Sequence, residues 1–235
     1  NYLRKLALWG WSFRQLTKDR PTITMPDDHD VYQGNIWGDA GREIPLQEWQ
    51  RRSGYGDSRN VGSVGGYVQP IEFVNAVERT QTAHLPDPAV DKTYKQGLTA
   101  YFTSMNYGNV GIAILEDRKF KTGPQQIDQK HDGPRPDHIS EPNMAEQVDD
   151  PNAKLLGDDQ LAFVRDWTAD WRGQEMKVAV SQTVYCGVAT HHGRADNFLL
   201  GDMDSGGWPQ AGRDKAVDAL RRGGVEHRRG EHHPR

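Results

Sequence analysis

A chain of 235 residues is long enough for one sizeable core, and a net charge of −4 with both signs interspersed excludes the basic stripe that nucleic-acid binding needs. Only 35% of the residues are apolar and the mean hydropathy is −0.85, so long polar loops surround a modest core. No apolar run approaches the ~20 residues that cross a bilayer, which excludes a helical span and indicates no membrane partner. The chain starts at Asn1 without a signal-like apolar segment, as expected of a processed, excised or partial chain. Its single cysteine, Cys186, cannot form an intrachain disulfide and, lying in an apolar run, is expected to be a buried, inert thiol.

Tyr2, Leu6, Trp9, Phe13 and Leu16 recur at steps of three and four and predict a helix with Arg4, Lys5, Arg14 and Lys18 on its outer face. Core packing accounts for Trp9 and Trp11 better than a stacking platform does. Pro21 ends this helix, and the β-branched residues 22–25 predict a short strand. The strand leads into Asp27-Asp28-His29-Asp30, three carboxylates and an imidazole in four residues. In an α/β protein the carboxyl end of a strand is where ligands collect. Such a cluster is either a solvated acidic turn or a site whose desolvation a bound cation offsets. The following loop, through Gly34, Asn35 and Trp37, has the glycines that let a backbone approach a ligand.

Residues 34–69 are rich in Gly, Ser, Arg and Asn and predict a long functional loop. Gly62, Gly65 and Gly66 lack the Gly-Lys-Ser/Thr that would make them a nucleotide cradle. Pro70 opens a helix with Phe73, Val74 and Val77 on its buried face. Residues 99–104 and 109–115 predict two strands joined by the turn Asn106-Tyr107-Gly108. The second is apolar throughout, as in a strand covered on both faces, and delivers Glu116, Asp117 and Arg118 to its carboxyl end. Residues 121–154, with five prolines, predict a polar excursion in which His131 and His138 are solvated. Asp158 is placed to cap a helix lined by Leu161, Val164, Trp167 and Trp171. Residues 177–185 predict a strand, His191 and His192 a loop, and 213–222 a helix with Ala216, Val217 and Leu220 inward and Gly223 as its stop. Alternating helices and strands with long loops indicate an α/β fold.

Four segments carry a family resemblance. Pro26-Asp27-Asp28-His29-Asp30-Val31 followed by Asn35-Ile36-Trp37 resembles the D-D-H-[ED]-V…N-x-W signature of the PhoD-like alkaline phosphatases, within the metallophosphoesterase superfamily. Leu115-Glu116-Asp117-Arg118-Lys119-Phe120 resembles that family's strand-end segment, and Leu155-Leu156-Gly157-Asp158-Asp159-Gln160 with Phe163 resembles L-L-G-x-x-Q-x-x-W. Asp204-Ser205-Gly206-Gly207-Trp208-Pro209 through Arg213 resembles D-x-x-G-[YW]-P-x-x-R. In order, these segments are distributed across positions 20–222.

The resemblance implies part of an α/β/β/α sandwich over residues 1–227, with 228–235 an irregular tail. It implies metal-dependent hydrolysis of a small phosphate ester, mono- or diester, with divalent or trivalent ions such as Ca, Fe, Mn or Zn. Asp28 stands at a metal-binding position, with Asp27 and Asp117 as further ligands or supports. His29 would stabilise the transition state or protonate the leaving oxygen, and Arg118 would bind phosphate. His233 stands where the family's ligand histidine belongs, in Gly230-Glu231-His232-His233 for G-D-x-H, although Arg228 and Arg229 replace an apolar pair. The family's amino-terminal ligand segments have no counterpart, so counting ligands leads us to expect a weak or inactive catalyst. A secreted or periplasmic location is implied as well. The alternatives are a non-catalytic binding module or inactive remnant of the same fold, and, from the paired carboxylates and aromatics alone, a glycosidase.

Overall fold

The structure, a computed structural model, describes residues 2–31, 38–47, 65–127, 149–186, 191–192, 198–199 and 207–230. It is an α/β fold. Among the described residues no helix is long and apolar enough to cross a membrane.

Helix α1 (Tyr2–Thr17) forms where the spacing predicts it but buries none of its residues. Trp9 and Trp11 remain 42% and 68% exposed, their rings meeting Phe13 and Arg14 of the same helix, so core packing is corrected for both. Apolar residues occur almost all round this helix rather than in one stripe, and a single line of contact cannot cover them. That line runs through Tyr2, whose hydroxyl accepts from Gln81 at 3.0 Å and whose ring meets Phe73 edge-on. Residues 21–27 do not form the expected strand. Pro21 and Pro26 each remove a backbone donor from this stretch, and the Thr24 hydroxyl ties it to the end of the helix at 71–82 by donating to the Gln81 carbonyl at 2.5 Å. A single helical turn, α2 (Asp28–Val31), follows.

In the predicted long loop, Gly65 and Gly66 have φ of 77° and 93° and lie against Gln126 and Arg42. Packed against the chain in this way, they form no open phosphate cradle. Gly62 lies outside the described residues. Helix α3 (Ile71–Thr82) follows Pro70 as predicted; Val74 and Val77 are buried while Phe73 is half-buried. The same face also buries Glu78 and Gln81, which periodicity does not reveal.

The sheet begins later than predicted. Thr99 and Tyr101 spend their backbone donors on Asn75 and Glu78 of α3, at 2.9 Å each, so the first strand, β1 (Thr103–Tyr107), starts only beyond them. It pairs antiparallel with β2 (Val110–Ile114) around a two-residue turn, Gly108-Asn109, rather than 106–108. Gly108 takes φ of 59°, the left-handed conformation such turns require. After the short helix α4 (Pro124–Ile127) and helix α5 (Asp158–Ala169) the chain returns as β3 (Met176–Val180), parallel to β2. The order β1-β2-β3 leaves β2 in the middle. Strand β3 ends five residues earlier than expected because Ser181 and Thr183 turn to bond Asp117. Cys186, beyond it, is exposed, which corrects its expected burial.

Residues 121–124 are buried, so the polar excursion begins later than predicted; 128–148, with His131 and His138, lie outside the described residues. Gly157, not Asp158, is the N-cap of α5; Asp158 sits in the first turn, where a negative charge is favoured, 3.2 Å from Lys154. Trp171 lies past the helix end. His191–His192 is a two-residue strand, β4, paired with β5 (Phe198–Leu199), instead of a loop. Helix α6 (Gln210–Gly230) runs through Gly223, which costs about 1 kcal/mol relative to alanine without ending the helix. Its start is capped by Asp149, which accepts from the Ala211 N–H at 3.0 Å. Ala216 and Ala219 are buried and Leu220 packs against them as part of the inner face, whereas Val217 is exposed, which corrects its predicted inward placement.

Helices α5 and α6 close over β2. Val164 and Trp167 of α5, Ala216 and Ala219 of α6, and Ala113, Leu115 and Leu156 form one apolar cluster. Tyr67, Val74 and Leu98 form a second, under α3. At the foot of α6, a methyl group on Gly212 would sit 2.5 Å from the Leu155 backbone nitrogen. Backbone cannot yield as a side-chain tip can, so Gly212→Ala is expected to cost about 1–3 kcal/mol in a urea titration. A loss under a few tenths would show that α6 shifts freely.

Candidate functional site

The site is built where β2 and β3 end. Leu115 makes the last ladder bond, donating to the Val180 carbonyl at 2.9 Å. The side-chain amide of Gln160, fully buried on α5, then takes the place of a neighbouring strand: its Oε1 accepts from the Glu116 N–H and its Nε2 donates to the Glu116 carbonyl, both at 2.7 Å. Released from the ladder, the chain turns, and Phe120 and Lys121 donate back to the Asp117 carbonyl at 3.0 Å. The Asp117 carboxylate is fully buried; its Oδ2 accepts from Ser181 Oγ at 2.7 Å and from the Thr183 N–H at 2.8 Å. Its Oδ1 has no hydrogen-bond partner among the described residues. Burial, with the Asp117 charge, pushes the nearby Tyr185 hydroxyl far above its ordinary value, against a hydrogen bond from Ser181.

Gln182, between those two Asp117 donors, holds the acidic segment in place. Its Nε2 donates to the Pro26 carbonyl at 2.9 Å. Asp27, Asp28 and His29 therefore reach the carboxyl ends of β2 and β3 without a strand of their own. At the start of α2 the Asp27 Oδ1 accepts from the Asp28 N–H at 2.8 Å, and Asp30 Oδ2 reaches back to accept from the Asp27 N–H at 3.0 Å, as the third residue of a capping box does. Gln81 adds a bond to Asp30 Oδ2 at 2.9 Å.

Arg118 closes the cluster. Its Nε donates to Asp27 Oδ1 at 2.8 Å, and its Nη2 lies 3.6 Å from Asp28 Oδ1. Burial pushes the Asp27 carboxyl up, but the Asp28 hydrogen bonds and the Arg118 charge outweigh it and hold the group below the usual carboxylate range. Asp28 is buried, whereas the His29 side chain is 72% exposed, its Nε2 3.5 Å from Asp28 Oδ2.

Behind this front lies a buried charged layer. Lys119 Nζ bonds Glu78 Oε2 and donates to the Thr99 carbonyl at 2.9 Å. Glu116 is 2% exposed; burial pushes its carboxyl up to about 8, Lys119 opposing and the Glu78 and Asp117 charges reinforcing the rise.

Five of the six predicted site residues, Asp27, Asp28, His29, Asp117 and Arg118, thus sit around one pair of strand ends; His233 lies outside the described residues. Gln182, Ser181 and Thr183 escaped the sequence reading, although they follow β3 directly and the strand-end rule that singled out Asp117 applies to them too. Glu78 had no such signal, and Gln160 was marked only as part of the third resemblance segment, without a role. A cation finds suitable hard oxygens in the buried Asp28 and Asp117, the latter with an oxygen that no described donor satisfies. These two fit as part of a coordination sphere only: among the described residues no three ligating side chains cluster.

No family model matches the chain, and no curated protein matches it. Among solved structures it is similar to one titled "Structure of PhoD", with 13% identity and a TM-score of 0.47. The match covers 85% of this chain and 31% of the other, so the chain spans less than a third of that protein's length.

Proposed function

We propose that this chain carries the phosphate-ester site of a metal-dependent phosphoesterase of the PhoD-like kind. The supporting observation is that the described parts of the four sequence segments lie together. Arg118 of the second bonds Asp27 of the first, and Gln160 of the third clasps Glu116 of the second. Trp208 of the fourth donates through Nε1 to the Thr122 carbonyl at 2.8 Å, just beyond the second.

In this reading Asp28 and Asp117 would supply part of the coordination sphere of the ion. The bound ion supplies Lewis acidity to a small phosphate ester. His29, exposed at the front, protonates the departing oxygen or donates to the charged transition state. Arg118 keeps Asp27 ionised, fixes the turn that presents Asp28 and His29, and adds positive charge where an anion approaches.

The test is a Mn²⁺ titration by calorimetry, together with hydrolysis of p-nitrophenyl phosphate and its bis-ester with Ca²⁺, Fe³⁺, Mn²⁺ or Zn²⁺. Mn²⁺ binding is expected in the native chain and to be lost in Asp28→Asn. Hydrolysis, slow in this chain, is expected to require metal and to fall roughly 10²–10⁴-fold in His29→Ala with metal binding intact. Metal binding indifferent to Asp28→Asn, or turnover indifferent to His29→Ala, would overturn the assignment.

A further inference from the structure

Strand β1 is an edge of the three-stranded sheet. Its register, Tyr107 with Val110 and Met105 with Ile112 around a two-residue turn, directs the N–H and C=O groups of those residues to β2 and those of Ser104 and Asn106 outward. Phe102, of the same parity, confirms the direction: its carbonyl accepts from the Ala89 N–H at 2.8 Å, on a segment that follows the outer edge. Past Val90 the segment runs back beside residues 98–101, where the Tyr94 N–H donates to the Leu98 carbonyl at 2.8 Å, and on the other side the Asp87 carbonyl accepts from the Thr103 hydroxyl at 2.7 Å. Among the described residues no backbone group bonds Ser104 or Asn106 from outside.

A groove of about 890 Å³ opens at this point. One wall is Ser104, Met105 and Asn106; the other is Phe163, Asp166 and Trp167 of α5. The outward groups of Ser104 and Asn106 are spaced by two residues of extended chain, about 6.6–6.8 Å, the repeat of a strand laid beside them. Of the carboxylates in the groove, Asp159 is matched by Lys92 and Asp170 by Arg172, whereas Asp166 is exposed with no ion pair among the described residues.

We propose that this groove binds an extended polypeptide segment, added as a strand against Ser104 and Asn106 with a basic side chain set against Asp166. Backbone bonds to an open edge supply affinity in such docking, and side-chain pockets supply selectivity. The edge provides the first; Asp166, lining the groove with Phe163 and Trp167, provides the second. The site is separate from the Asp28 cluster and independent of the activity proposed for it.

Three acetylated heptapeptides of alternating threonine and valine, with lysine, alanine or glutamate at the centre, test this by calorimetry on the full chain. Affinity is expected to fall in the order lysine, alanine, glutamate, with about tenfold or more between the ends. Ser104→Pro removes an outward N–H without breaking the β1–β2 ladder and is expected to weaken all three about tenfold or more. Asp166→Lys, on an exposed helix face, is expected to reverse the lysine–glutamate order, and it decides the matter if the proline variant fails to fold. No binding of the lysine peptide at about 1 mM, or an order unchanged in Asp166→Lys, would overturn the proposal. A concentration-dependent dimer abolished by Ser104→Pro would overturn it too, by placing a second copy on the edge.

Discussion

Lys119→Ala is expected to destabilise the fold by roughly 3–5 kcal/mol, read as a lower urea midpoint at unchanged slope. The ammonium is 5% exposed and bonds Glu78, itself 7% exposed. Glu78 also accepts from Thr99 Oγ1 at 2.6 Å and from the Tyr101 N–H at 2.9 Å, but these neutral donors cannot balance a full charge away from water. Removing the lysine strands that carboxylate. With total stabilities of about 5–15 kcal/mol for a domain, the loss is a large share. Lys119→Met combined with Glu78→Gln keeps an acceptor for the Tyr101 N–H, places an amide donor beside the Thr99 hydroxyl, which can accept, and strands no charge, so it is expected to be the milder change. A single-variant loss below about 1 kcal/mol would mean that water reaches the pair.

The second large effect is a dependence of stability on pH. Burial pushes the Glu116 carboxyl up to about 8, whereas an unfolded glutamate titrates near 4.3. Between those values the folded chain holds a proton that the unfolded chain has released. Folding is therefore favoured most below the lower value, and the contribution drains away as pH rises through the window, amounting to a few kcal/mol at its upper end. Glu116→Gln keeps an acceptor for the Lys119 N–H and cannot ionise. Urea titrations at pH 5, 7 and 9 are expected to show the variant level with the native chain at pH 5 and more stable at pH 9. Parallel profiles for the two proteins would remove Glu116 as the cause.

What the sequence makes legible follows from pattern. The steps of three and four in α1, the proline before α3 and the apolar run of β2 locate those elements, because periodicity and backbone restriction act locally. The acidic tetrad and the Asp117-Arg118 pair could be singled out as charged groups beside apolar runs. Their meeting could not be read: the Arg118–Asp27 bond joins residues 91 positions apart and the Gln182–Pro26 bond residues 156 apart. The errors have the same origin. Residues 22–25 have strand composition, but Pro21 and Pro26 flank them with positions that cannot donate to a ladder. Residues 99–102 have it too, yet Asn75 and the buried Glu78 take the Thr99 and Tyr101 donors first. Trp9 and Trp11 looked like core because burial was inferred from residue type, which does not show whether anything lies opposite.

The clasp of Gln160 on Glu116 has a further consequence, for how much variation one position can bear. An amide that both accepts from a backbone N–H and donates to the adjoining carbonyl copies a peptide group, and the copy has an alphabet of one letter. Glutamate offers an acceptor where a donor is needed, asparagine has the chemistry but one methylene too few, and lysine or arginine can donate but not accept. The positions on the outer face of α5 are under no such restriction. A single glutamine, with no charge and no place in the chemistry, is thus among the most informative letters in the chain.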